Sequence, residues 1–169
     1  MHTQRRLFSI VGGGLVLLSP SAARFDAAER AAPAACSLLA APDASKALEQ
    51  NSLPGKPLVN DTDPTGCVWS ADPAAGDTSR RVVLNTHSAR AFQFAMHPAL
   101  PQIKVEPVSG IGDEAFYQLY PESPFIWVRK GTNAISIRIL TRIKPKPPFT
   151  NDQEKAKLIP LAKAAVAKL

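Results

Sequence analysis

Pro107-Val-Ser-Gly-Ile-Gly-Asp-Glu-Ala-Phe-Tyr-Gln-Leu-Tyr120, continued by Phe125-Ile-Trp-Val-Arg-Lys130 and by Ala134-Ile-Ser-Ile-Arg-Ile-Leu140, is the stretch whose reading decides the fold. Gly110 and Gly112 flank Ile111, so a turn there can use φ > 0 without a Cβ penalty. Ala115, Tyr117 and Leu119 then share one face of a strand, and Phe116, Gln118 and Tyr120 the other. Pro121 to Pro124 breaks the run, Phe125 resumes it, and Lys130-Gly-Thr-Asn133 turns it again. Ile135, Ile137 and Ile139 alternate with Ser136 and Arg138, which predicts an antiparallel three-stranded meander with one wet face.

Upstream, Cys67-Val-Trp-Ser70 and Arg81 to Thr86 read as a hairpin across the Asp72–Asp77 loop. Pro42 and Asp43 mark a helix start, with Ala44, Ala47 and Leu48 inward as far as Gln50. Ser88 caps a second short helix stopped by Pro98, with Ala91, Phe92, Ala95 and Met96 on one stripe. Ile103 to Val108 leads into the glycine turn as an extended segment. Lys144-Pro-Lys-Pro-Pro148 reads as a stiff connector. Thr150-Asn-Asp-Gln153 then has the form of a capping box opening a terminal helix. Pro160 inside that helix predicts a kink, or an ordered part that begins there. The expected class is α+β: one antiparallel sheet, a hairpin plus a three-stranded meander, with helices packed on one face.

At 169 residues the chain is long enough for one domain with its own core, and sixteen prolines against nine glycines imply many stiff connections. Met1 to Ala23 has the form of an export signal. Arg5 and Arg6 form a basic start, Leu7 to Leu18 an apolar run, and Ser21-Ala-Ala23 supplies small residues before a cleavage point. Arg5-Arg-Leu-Phe8 suits a twin-arginine route, and an ordinary secretory signal suits it equally. Residues 24–35 read as a linker and residues 36–169 as the single domain. Two cysteines in an exported chain read as one disulfide, Cys36 to Cys67. Ala34-Ala-Cys36 resembles the end of a lipobox, but Pro33 stands where an aliphatic residue is wanted, and lipidation would orphan Cys67. No stable membrane anchor is therefore expected after signal removal.

Charge is unevenly distributed. Residues 24–128 hold eight basic and twelve acidic residues, whereas residues 129–169 hold ten basic and two acidic. Arg129, Lys130, Arg138, Arg142, Lys144 and Lys146 form a candidate basic patch suited to anionic envelope polymers or to an envelope protein. They lack the interleaved aromatics of a nucleic-acid platform, so no nucleic-acid partner is expected. Trp69, Tyr117 and Trp127, with Tyr120, could line a ligand groove on the sheet, or serve as core and cross-strand pairs.

The catalytic candidates do not assemble. Asp113 and Glu114 are adjacent, so on a strand they point to opposite faces, and Asp113 is expected to bond the backbone of the glycine turn. Gly110-Ile-Gly112 precedes a strand and lacks the pattern of a phosphate loop. His87 and His97 have no ligand-spaced partners, so neither a metal nor a cofactor is expected. No serine has the surroundings of a nucleophile elbow.

Cys36-Ser-Leu-Leu39, Cys67-Val-Trp69, Gly110-Ile-Gly-Asp-Glu-Ala-Phe116 and Val128-Arg-Lys-Gly131 follow one another along the chain. In this order they resemble the motifs of small exported bacterial domains of unknown function, often found in lipoproteins. The resemblance covers nearly all of residues 36–169. It implies an exported α+β domain with one disulfide, and it implies no activity. Without a usable lipobox, the membrane anchoring of such lipoproteins is not carried over. The expected function is a non-catalytic envelope binding module working through a sheet face or the basic end. An envelope enzyme and an accessory subunit of an envelope complex are the alternatives.

Overall fold

The computed structural model describes residues 34–58, 65–75, 79–121, 123–141 and 149–169. The segment read as an export signal, most of the stretch read as a linker, the proline-rich connector and Arg142, Lys144 and Lys146 lie outside the described residues. Ala35, read above as linker, opens the first helix and is buried.

Among the described residues, four α-helices and one seven-stranded antiparallel sheet make up the fold. In chain order the helices are α1 (Ala35–Leu38), α2 (Ala41–Leu48), α3 (Ala89–Met96) and α4 (Asn151–Val166). The strands are β1 (Lys56–Pro57), β2 (Gly66–Ser70), β3 (Arg81–Ser88), β4 (Lys104–Val108), β5 (Glu114–Leu119), β6 (Pro124–Lys130) and β7 (Asn133–Leu140). Their order across the sheet is β1-β2-β3-β7-β6-β5-β4. The β2–β3 hairpin and the β5–β6–β7 meander are both present, but they are not separate. β3 and β7 pair along eight residues, from Arg81 opposite Leu140 to Ser88 opposite Asn133. Short β1 and β4 extend the two outer edges. The α3 connection carries the chain from β3 to the far edge at β4, and the meander returns to close against β3.

Closure of β3 on β7 changes which residues are buried. Ile135, Ile137 and Ile139 enter the main core with Val82, Leu84, Ile126 and Val128, under Leu38, Leu48, Leu158 and Leu161 of α1, α2 and α4. The opposite face is not the wet face expected from alternation. Phe92 of α3 packs there against Phe116 and Ala134, and Ser136 is only 3% exposed. Helices therefore cover both faces, because an eight-residue helix sits on the polar side of the alternation. Phe116, Ala134 and the half-buried Trp127 on that side give Phe92 something to bury against.

Local chemistry sets the element ends. Ser88 Oγ accepts from the Ala91 N–H at the start of α3. Thr150 and Gln153 form the reciprocal capping box of α4, with Thr150 N–H donating to Gln153 Oε1 at 2.8 Å. α4 runs helical from Asn151 through Pro160 to Val166, so its ordered part does not begin at the proline. The proline is exposed, while Leu158, Leu161, Ala162 and Ala165 bury the opposite stripe on both sides of it. That continuous apolar contact offsets the backbone hydrogen bond lost at the ring. Gly110 and Gly112 both adopt positive φ, 76° and 61°. The Cys36–Cys67 disulfide ties α1 to β2 with Cα atoms 5.1 Å apart. Such a bond belongs to a non-reducing compartment.

Candidate binding site on the α3 side of the sheet

The basic residues named from sequence separate once their partners are seen. Arg129 lies between Asp113 and Glu114, at 3.5 and 3.4 Å, so its charge is matched. Asp113 precedes the first residue of β5, and this lets two adjacent carboxylates converge on one guanidinium. Asp113 Oδ2 also accepts from the Gly131 N–H at 2.7 Å. Its backbone partner is thus the β6–β7 turn and not the glycine turn it belongs to. Lys130 points to the other face and donates to the Val166 carbonyl at 3.0 Å, closing the C-terminal end of α4. Arg138 is the remaining described member, and it sits apart from both.

The three aromatics proposed for a groove do not share a surface. Trp69 and Tyr117 belong to the main core, 1% and 8% exposed, and the Tyr117 hydroxyl donates to the Lys155 carbonyl of α4 at 2.9 Å. Burial first, and the Glu106 carboxylate second, push the Tyr117 pKa up. Trp127 stands on the opposite face, stacked on Phe116 with ring centroids 6.2 Å apart. Strand parity is the reason: Tyr117 lies opposite Ile126, whereas Trp127 lies opposite Phe116.

A hydrogen-bonded belt crosses the α3 side. Trp127 Nε1–H and the Tyr120 hydroxyl both donate to Gln118 Oε1, at 3.1 and 3.4 Å, while Gln118 Nε2–H donates to the Ala95 carbonyl of α3. His87 Nε2 is 2.9 Å from Ser136 Oγ, and the imidazole lies 4.5 Å from the Trp127 ring. A histidine beside a serine invites a catalytic reading, but Ser136 is buried beneath the sheet's cover. The contact satisfies a buried hydroxyl and holds β3 to β7.

At the far end of this belt the sheet is open. Arg138 and Phe125 face each other across β7 and β6, with the guanidinium 4.9 Å from the Phe125 ring centroid. The Tyr120 ring is 5.0 Å from that of Phe125. With Pro121 and Ser123 these residues line a cleft of about 490 Å³. Arg138 Nε is buried without a hydrogen-bond partner, and burial lowers the pKa of the guanidinium. Among the described residues Arg138 makes no ion pair. A cation removed from water without a counter-charge is costly, and among the described residues the contact that offsets this cost is the Phe125 ring.

A second cavity, about 510 Å³, separates α2 from α4. Of its two lysines, Lys46 and Lys157, the second pairs with Glu49 and lies 4.5 Å from the Phe149 ring centroid. That contact holds the Glu49 carboxyl below its ordinary range. Glu154, on α4, is 3% exposed with one carboxylate oxygen unpartnered, yet it lines neither cavity. Among the described residues no group of three or more histidine, cysteine or carboxylate side chains is placed to hold a metal ion, and no helix is long and apolar enough to cross a membrane.

The Arg138 cleft escapes a reading by charge clustering, which assigns the residue to a basic strip. The signal that finds it is the two-residue turn Gly131-Thr132. Pairing Lys130 with Asn133 forces Phe125 opposite Arg138. Comparison of the chain with family models, with curated proteins and with solved structures finds no match.

Proposed function

We propose that the protein is an exported, non-catalytic binding module of the cell envelope that engages an acidic group through the α3 side of its sheet. The disulfide supports an oxidising compartment, and the basic and apolar segments of Met1 to Ala23 support export to it. The resemblance of the Cys36, Cys67 and Gly110–Phe116 motifs to exported domains agrees with both. The observation that carries the choice of surface is Arg138, a half-buried cation with no ion pair among the described residues, beside the half-buried rings of Phe125 and Tyr120. Arg129 and Lys130 are engaged within the fold, which leaves the basic end with less free charge than its composition implies.

Co-purification of the tagged full chain from envelope extracts at low and high salt tests this reading. A partner retained at low salt and released at high salt is the expected result, since an exposed ion contact is screened within about 10 Å at 0.1 M salt. Retention of no partner at either salt, or residence of the protein in the cytosol, would refute it.

A further inference from the structure

The chemistry of the Arg138 cleft narrows the ligand class. Guanidinium offers five N–H donors in a planar fork, a geometry that matches a carboxylate. In this protein none of those donors is used by another described residue, and the Nε–H is already out of water. Desolvation strengthens any charge-assisted hydrogen bond made there. Apart from Ser123, the rest of the lining is flat and mainly apolar: the rings of Phe125 and Tyr120, with Pro121 beside them. The Tyr120 hydroxyl is turned to Gln118, so its ring serves as a wall. Among the described residues, Asp113 and Glu114 do not compete, because Arg129 holds them at the opposite end of β6.

We propose that the cleft binds a small organic carboxylate with a flat apolar body, its carboxylate on the Arg138 guanidinium and its body against Phe125, Tyr120 and Pro121. The assignment rests on reading the chain as a binding module, and it adds the chemical class of what is bound. A compact inorganic anion would use the charge and leave the rings wet. A neutral aromatic would use the rings and leave the cation unpaired.

Calorimetric titration of the full mature chain with benzoate, acetate and benzamide tests it. Benzoate should bind, with acetate and benzamide each at least tenfold weaker. Arg138→Gln and Arg138→Lys should both weaken benzoate at least tenfold, the second because an ammonium lacks the fork. Arg138→Met should abolish binding while leaving the melting temperature unchanged or raised, since it removes an uncompensated charge. That outcome separates loss of a ligand from loss of the fold. Should the variants not fold, the Arg138 Nε–H resonance of the wild-type protein must still shift on adding benzoate. Equal affinity for benzoate and acetate, or an unmoved Arg138 resonance, overturns the proposal. Failure with benzoate while a salt-labile envelope partner persists removes this proposal alone, whereas loss of both removes the binding-module reading as well.

Discussion

Replacing Glu154 by glutamine should abolish a pH dependence that the wild-type fold carries. Glu154 lies in the first turn of α4, 3% exposed, with one carboxylate oxygen lacking a partner. Burial pushes its pKa from 4.5 up to about 7. The N-terminal helix dipole favours the ionised form by about 0.3–1 kcal/mol at most ordinary sites. The nearest lysines along α4 do not help, because Lys155 pairs with Glu106 and Lys157 with Glu49. At about 1.4 kcal/mol per pKa unit, the move from 4.5 to about 7 corresponds to about 3 kcal/mol, so desolvation outweighs the dipole. The folded protein therefore keeps this proton up to about pH 7, while the unfolded chain releases it above about pH 4.5. Between those values the native state binds more protons, and stability falls as pH rises. The penalty is absent below the lower value and complete above the upper one. Urea unfolding of wild type and Glu154→Gln from pH 5 to pH 8 measures it. Taking the difference between the two proteins cancels every other titrating group. That difference should grow in favour of Glu154→Gln by about 2–3 kcal/mol across the range and level off above it. Parallel curves would show that the carboxylate is hydrated or paired, and would refute the assignment.

Three further outcomes follow from the packing. Loss of the disulfide in a Cys36→Ala, Cys67→Ala protein frees a loop with a sequence separation of 31. It should cost about 3–4 kcal/mol by chain entropy, read as a fall in the urea midpoint that reductant reproduces in the wild type. In the glycine turn, Gly112→Ala should destabilise by at least about 2 kcal/mol and Gly110→Ala by about 1. Both have positive φ, but a Cβ on Gly112 would meet the Arg129 carbonyl at 2.5 Å, while nothing lies within 4 Å of one on Gly110. Equal melting temperatures for the two variants would contradict this. Thr150→Ala removes the side-chain acceptor at the start of α4 and should cost about 1 kcal/mol in chemical denaturation, with Thr150→Ser close to wild type.

Much of the fold was legible because the signals are local. Ser88 and Thr150 announce their helices by offering an oxygen to an otherwise unpaired N–H. Gly110 and Gly112 mark a turn that only glycine enters without strain, and Ile135, Ile137 and Ile139 mark a strand with one apolar face. The single sheet was legible as well, but its joining was not. β3 and β7 are separated by more than forty residues, and alternation in either strand fits several neighbours equally well. The burial of Ser136 was illegible for a related reason. A period of two says that a strand has two faces, and it does not say whether α3 will cover the second one. Among site residues, Cys36 and Cys67 follow from count and context. The separation of Trp69 and Tyr117 from Trp127 follows from register, which the turn lengths alone suggest only once the strand ends are known.

From the order of its residues alone, this chain has its strands, its caps, its cysteine pair and its excess of cationic residues toward the end. Each depends on neighbours a few positions away, or on a count. Tertiary structure decided which cations have partners: Arg129 between two carboxylates, Lys130 on a helix end, Arg138 against an aromatic ring with no counter-charge among the described residues. Charge pairing depends on distances across strands and between layers. Those distances exist only after β6 and β7 are in register and α4 has docked.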